Sequence, residues 1–349
     1  MVATLTKMFS KTLAVMFASL LLCYLLLLLV NIRDEPPSAA AQTMQQLQQA
    51  AASAAEQSTQ TNGYAYLAQH GSSPNYRLAE PLAALMRQCH QGDCQQLLGA
   101  EPELTRWVNE HQELAAFYQQ IRSFDHWYET IPTDVADLFP SWQALTDGQQ
   151  LLFAQAWLAL QQQDIAQARQ LLQQDMQFWR GLLTKHNLLI GKMVSSEAIK
   201  RHFEFAAMLQ QELAGTARAA LTPDSWQMAF TAQELNLRQV LSGEWVYGNT
   251  LTEQTLLNDD ALAQASAAER FAWWLLKPLY QPQATSNQRA AMLLAQADNT
   301  PTADAPWYSW IYNPVGKLFN VAGEASYLPY RQRLEQLEPL RLQLLTEAR

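Results

Sequence analysis

Leu151-Leu152-Phe153-Ala154-Gln155-Ala156-Trp157-Leu158-Ala159-Leu160-Gln161-Gln162-Gln163-Asp164-Ile165-Ala166-Gln167-Ala168-Arg169-Gln170-Leu171-Leu172 is the stretch on which the fold reading turns. Small and large apolar residues recur at helical spacing on both sides of Gln161–Asp164, a short polar break. This is the pattern of two antiparallel helices joined by a tight turn. The surrounding composition agrees. Of 349 residues, 49% are hydrophobic, with only 12 Gly and 15 Pro. Stretches rich in Val, Ile and Thr are missing, so the sequence predicts an all-α fold.

The hairpin resembles one tetratricopeptide-type unit, but no clear second copy follows at the period such arrays keep. A solenoid-like domain is therefore one form the helices can take. Upstream, Leu82, Leu85 and Met86 define a helical face. Leu104, Trp107, Val108, Leu114, Phe117 and Ile121 give a mixed apolar pattern. Downstream, residues 182–213 read as a long helical stretch that Gly191 can break. Thr222-Pro223-Asp224 reads as a helix start, with a capping hydroxyl, Pro at the first position and an acid in the first turn. Trp226, Ala229, Phe230, Leu237, Val240 and Leu241 then share a face, and Ser242-Gly243 is expected to end that helix. Residues 267–280 predict another helix, cut by Pro278. Asn313-Pro314 opens a short one, and residues 330–348 close the chain.

Residues 13–32 form an almost unbroken apolar run, interrupted only by Ser19, Cys23 and Tyr24. At about 1.5 Å per residue it matches the roughly 30 Å hydrocarbon thickness of a bilayer. Lys7 and Lys11 precede it and no acid occurs before Asp34, so the positive-inside rule puts residues 1–12 in the cytoplasm and carries the rest across. A cleaved signal peptide would have a shorter apolar region. Its candidate site, Ala39-Ala40-Ala41, is separated from the run by charges and by Pro36-Pro37. Lipidation at Cys23 would need a small preceding residue, and Leu22 is not one. Residues 33–62, rich in Ala and Gln, read as a tether, helical in part around residues 43–57. Residues 63–349 are expected to form the helical extracytoplasmic domain.

The net charge is −9, and the first 33 residues contribute only positive charge. An acidic domain repels nucleic acid, which sets nucleic-acid binding aside. Cys89-His90-Gln91-Gly92-Asp93-Cys94 is the sharpest local feature. On the oxidising side of a membrane the two cysteines are expected to form a structural disulfide; free thiols or a redox or metal role are the alternatives. The six histidines (His70, His90, His111, His126, His186 and His202) show no metal-ligand spacing and read as surface or satisfied core residues. No nucleophile-elbow or phosphate-loop motif occurs, and no cofactor is expected. Asp259-Asp260 reads as a solvated pair. Glu204, between Phe203 and Phe205, is the one acid considered for glycan hydrolysis. Lys200 and Arg201 offer it an ordinary helix-surface ion pair instead. The aromatic residues Phe271, Trp273, Trp274, Trp307, Tyr308, Trp310 and Tyr312 suit a core, a partner-binding groove or a membrane surface. Trp273, Trp274, Trp307 and Trp310 are retained as candidate partner-binding aromatics.

Several segments together resemble a family of single-span proteobacterial envelope proteins with no assigned activity. They are Asn62-Gly63-Tyr64-Ala65-Tyr66-Leu67, the cysteine pair, Phe178-Trp179-Arg180 and Leu188-Leu189-Ile190-Gly191-Lys192-Met193. Two more are Gln281-Pro282-Gln283-Ala284-Thr285-Ser286-Asn287, which reads as an ordered loop, and Asn313-Pro314-Val315-Gly316-Lys317. The resemblance implies a bacterial inner-membrane protein with its C-terminal domain in the periplasm. The expected function is non-enzymatic, a scaffold that holds an envelope protein partner. An envelope hydrolase acting on cell-wall glycan or peptide is the alternative.

Overall fold

The computed structural model describes residues 2–89, 92–134, 139–257, 265–301, 306–322 and 326–347. All regular structure among them is helical. His90 and Asp259-Asp260 lie outside the described residues. The chain divides into two compact units. One comprises Met1–Gln46, Thr133–Val135 and Trp245–Ser326; the other comprises Leu47–Pro132, Ala136–Glu244 and Tyr327–Arg349.

The larger, second unit is built on the hairpin. Helix Gln143–Gln161 packs against Ile165–Leu183 and against Gln112–Arg122, and Leu189–Gln211 packs against Ile165–Leu183 and Leu337–Glu347. The turn falls where the polar break lies. Gln163 takes a left-handed φ of 63°, and the Asp164 side chain accepts from the Gln167 N–H to cap the second helix. Helix Gln143–Gln161 is buried on nearly every side, including Asp147, Gln149 and Gln150. Leu82, Leu85, Met86, Leu104, Val108, Leu114, Phe117 and Ile121 are all buried, as their spacing predicts.

Three local expectations in this unit are corrected. The break after Leu183 comes before Gly191, which sits inside helix Leu189–Gln211. A side chain at Gly191 would collide with the Glu129 carboxylate and the His186 ring, so the glycine permits close approach and does not end the helix. The helix expected from Pro223 is short, Asp224–Gln227, and is followed by a separate turn, Ala232–Leu235, with its own Thr231/Glu234 capping box. The buried Arg180 guanidinium explains the interruption. It takes the carbonyls of Ser225, Met228 and Ala229, which a continuous helix would use internally, and clamps Glu234 through both of its oxygens. The next helix, Arg238–Leu257, runs through Ser242-Gly243, because Gly243 admits the Asn187 carbonyl against its backbone.

The first unit contains helix Val2–Val30, whose segment Lys11–Val30 has a mean hydropathy of 2.8 and no buried residue, long and apolar enough by composition to cross a membrane. Its last turns are held by the rest of the unit. Tyr24, Leu27 and Leu28 pack against a core of Leu256, Leu279, Tyr280 and Val315. Asn31 donates to the Ile311 carbonyl at 2.9 Å and accepts from the Asn313 N–H at 2.6 Å. The segment expected as a loop, 281–287, is instead the first turns of helix Pro282–Asp298. Asp34, some 250 residues earlier, accepts from the N–H groups of Gln283 and Ala284 and so caps it. Ala39–Glu56, within the segment read as a tether, is helical with Ala41 and Met44 buried.

Candidate functional site

The second unit carries a cleft of about 460 Å³, within the usual range for ligand sites. Helix Ala39–Glu56 supplies Leu47, Ala51, Ala54 and Ala55. The segment after Gln112–Arg122 supplies residues 125–128. The link between the two long helices supplies Leu183, Thr184, Lys185 and Asn187, and Lys192 follows one turn into the next helix. Three cations, Lys185, Lys192 and Arg238, face one acid, Asp125, in a chain whose overall charge is −9.

Lys192 is the unusual member. It is 3% exposed, and its ammonium donates to the Leu183 carbonyl at 2.9 Å. Burial pushes it down to about 8, partly opposed by the charge of Glu234. An ammonium has three N–H donors, and one carbonyl partner leaves it able to receive a carboxylate. Trp127 also lines the cleft, and its buried indole N–H has no acceptor among the described residues.

Behind the cleft wall lies a buried relay. Glu129 accepts from His186 Nδ1 at 2.6 Å, and His186 Nε2 lies 2.7 Å from Ser195 Oγ. The other Glu129 oxygen accepts from the N–H groups of Asn187 and Leu188 at 2.8 Å, which places a carboxylate at the start of helix Leu189–Gln211. Asn187 joins this relay to the cleft. Its Nδ2 donates to the Glu129 carbonyl and its Oδ1 accepts from Gln239, another lining residue. The order Ser195–His186–Glu129 is that of a nucleophile, a base and an orienting acid. Ser195 is 0% exposed, however, and it does not line the cleft. Sealed in this way, the three residues tie the segment around Glu129 to the helix–helix joint.

A second buried carboxylate–histidine pair lies deeper. Asp175 accepts from Tyr118 Oη at 2.6 Å, from Gln149 at 3.0 Å and from His202 Nδ1 at 2.7 Å. Trp226 Nε1 donates to His202 Nε2 at 2.9 Å, which fixes the proton on Nδ1. Burial and Asp175 push the Tyr118 hydroxyl well above its ordinary range.

The residues singled out in the sequence are distributed as follows. Cys89 and Cys94 have their sulfurs at disulfide distance, 2.23 Å apart. Glu204 is half exposed and paired with Lys200 at 3.7 Å, a helix-surface ion pair. His186 and His202 are satisfied core residues. Trp273 packs partly buried on the first unit's core, whereas Trp274, Trp307 and Trp310 are exposed. No group of three His, Cys, Asp or Glu residues among the described residues is arranged to hold a metal ion.

Sequence reasoning missed Lys192, Asn187, Glu129 and Ser195. One signal was present: Lys192 interrupts the apolar run from Leu188 to Met193, beside a glycine. The sequence matches no protein-family profile, and no curated protein or solved structure matches it at a significant level.

Proposed function

We propose that this chain is a single-span protein of the bacterial inner membrane that holds an acidic segment of an envelope partner protein in the cleft around Lys192, without chemistry. Residues 1–12 are cytoplasmic on this reading, and the chain after the span lies on the periplasmic side, as in the proteobacterial envelope proteins the sequence resembles. The apolar segment, the flanking Lys11 and the cysteine pair at disulfide distance support this placement. The packing of Tyr24, Leu27 and Leu28 and the hydrogen bonds of Asn31 within the first unit support a retained anchor over a cleaved leader. Cleavage would strip that unit of part of its core.

The observation that carries the binding role is the nearly buried Lys192 ammonium in a cleft whose charge is opposite to that of the chain. A carboxylate arriving there meets a cation that folding has already desolvated, where charge-assisted bonds are strong. The sealed Ser195 supports a non-enzymatic role. The test is a binding titration of the detergent-solubilised full chain against acidic, neutral and basic peptides of equal length. Acidic peptides are expected to bind best, with Lys192→Met and Arg238→Glu each weakening them at least tenfold. Equal binding of all three classes, or no effect of either substitution, would refute the reading.

A further inference from the structure

We propose that the exposed aromatic ledge of the first unit lies in the bilayer interface, so that the chain grips its membrane by a span and by an in-plane surface. The ledge is made by helix Ala267–Leu276 and the 3₁₀ turn Trp307–Ile311. Neither contains a single fully buried residue. Phe271, Trp274, Trp307, Tyr308, Trp310 and Ile311 are all exposed, with Trp274 at 68% and Trp307 at 80%. So much bare aromatic surface marks an interaction site.

The attachment of the ledge to the span identifies what covers it. Tyr24 Oη donates to the Leu275 carbonyl at 2.9 Å, and Asn31 Nδ2 donates to the Ile311 carbonyl at 2.9 Å. One ledge segment is therefore bonded to the last two turns of helix Val2–Val30, and the other to the residue that follows it. Tyr24 lies six residues before Val30, which at about 1.5 Å per residue is roughly 9 Å inside the end of the apolar helix. If that helix crosses the bilayer, Leu275 is held at the depth where interfacial helices rest, about 5–10 Å into the headgroup and acyl boundary. Trp and Tyr are the side chains suited to that layer, with an apolar ring and a polar N–H or O–H. Continuity with the span thus selects lipid as the occupant over a protein partner. The four tryptophans expected to bind a partner are divided by the same argument. Trp273 faces the unit's own core, and Trp274, Trp307 and Trp310 face lipid.

This inference rests on the reading of residues 11–30 as a span, and the test separates the two. The full chain, with Cys23→Ser to remove its free thiol, is reconstituted in phosphatidylethanolamine–phosphatidylglycerol vesicles. Single spin labels are placed through Leu21→Cys in the span and through Trp274→Cys, Trp307→Cys or Phe271→Cys in the ledge. Accessibility to oxygen is compared with accessibility to a water-soluble nickel chelate. All four sites are expected to favour oxygen several-fold, with Leu21→Cys the deepest and the ledge labels at interfacial depth. A lipid-buried Leu21→Cys with water-exposed ledge labels overturns the ledge and leaves the span standing. A water-exposed Leu21→Cys overturns both. Ledge labels that are water-exposed in vesicles but shielded in intact cells would assign the ledge to a protein partner.

Discussion

The second unit holds two buried carboxylate–histidine pairs built from similar parts, and they differ in what lies beyond the histidine. In Asp175–His202 the far ring nitrogen meets the Trp226 indole N–H, and all three side chains are 0% exposed. In Glu129–His186 the far nitrogen meets Ser195, and the neighbouring Asn187 reaches the cleft. The first is a closed knot that organises the core. The second is a strut whose outer end forms part of the wall of the cleft. A histidine beside an acid is thus no sign of catalysis until the third partner has access to solvent. Here neither pair has it.

The largest effect is expected from Asp175→Ala. It leaves Tyr118, Gln149 and His202 without their shared acceptor in a dry core, at a cost of about 3–5 kcal/mol. Denaturant unfolding of the solubilised chain checks this, and a loss below about 1 kcal/mol would mean that water or a neighbour takes over the acceptor's role. Glu129→Gln is expected to cost less, about 2–3 kcal/mol, since an amide oxygen still accepts from part of the Asn187–Leu188 backbone pair. Unlike Asp175→Ala, it should also weaken acidic-peptide binding in the still-folded protein, because the Asn187 backbone, which lines the cleft, is held less firmly. If the two substitutions act alike on binding, the distinction between knot and strut fails.

Lys192→Met probes the cleft through pH. The lysine is lowered from 10.5 to about 8, so the unfolded chain binds the extra proton between those values. Stability from this group therefore rises with pH across that window, and below about pH 8 its burial penalty is fully present. The substitution is expected to stabilise the protein by about 1–3 kcal/mol at pH 7, an advantage that fades as pH approaches 10.5. Unfolding at several pH values measures it, and a pH-independent difference would show that the ammonium is not desolvated. Ser195→Ala should have the smallest effect, about 1 kcal/mol for one lost hydrogen bond, with peptide binding unchanged. In the same experiment a fluorophosphonate probe should leave Ser195 of the native protein unlabelled. Labelling would reopen the hydrolase alternative.

The helical hairpin was legible because its signals are local. Apolar spacing, an Asp cap and a polar turn act over a few residues, and the structure has the turn where they put it. Residues 281–287 were misread because the group that caps their helix, Asp34, comes from the other end of the chain. The helix expected to continue past Gln227 was misread for a similar reason: Arg180 removes its carbonyls from outside. Gly191 and Gly243 look like helix breakers in sequence, yet each is a point where another segment's polar atoms come close.

The order of side chains along the chain by itself determined the all-α class, the apolar N-terminal helix and the cysteine pair, since each depends on neighbours within one or two turns. The cleft around Lys192, the two carboxylate–histidine pairs and the exposed aromatic ledge bonded to the end of the apolar helix were decided only in three dimensions. Their members are brought together from segments far apart in sequence, and no local periodicity records a contact between them. A lysine acquires its meaning from the water that folding takes away, and a tryptophan from whatever is left uncovered around it.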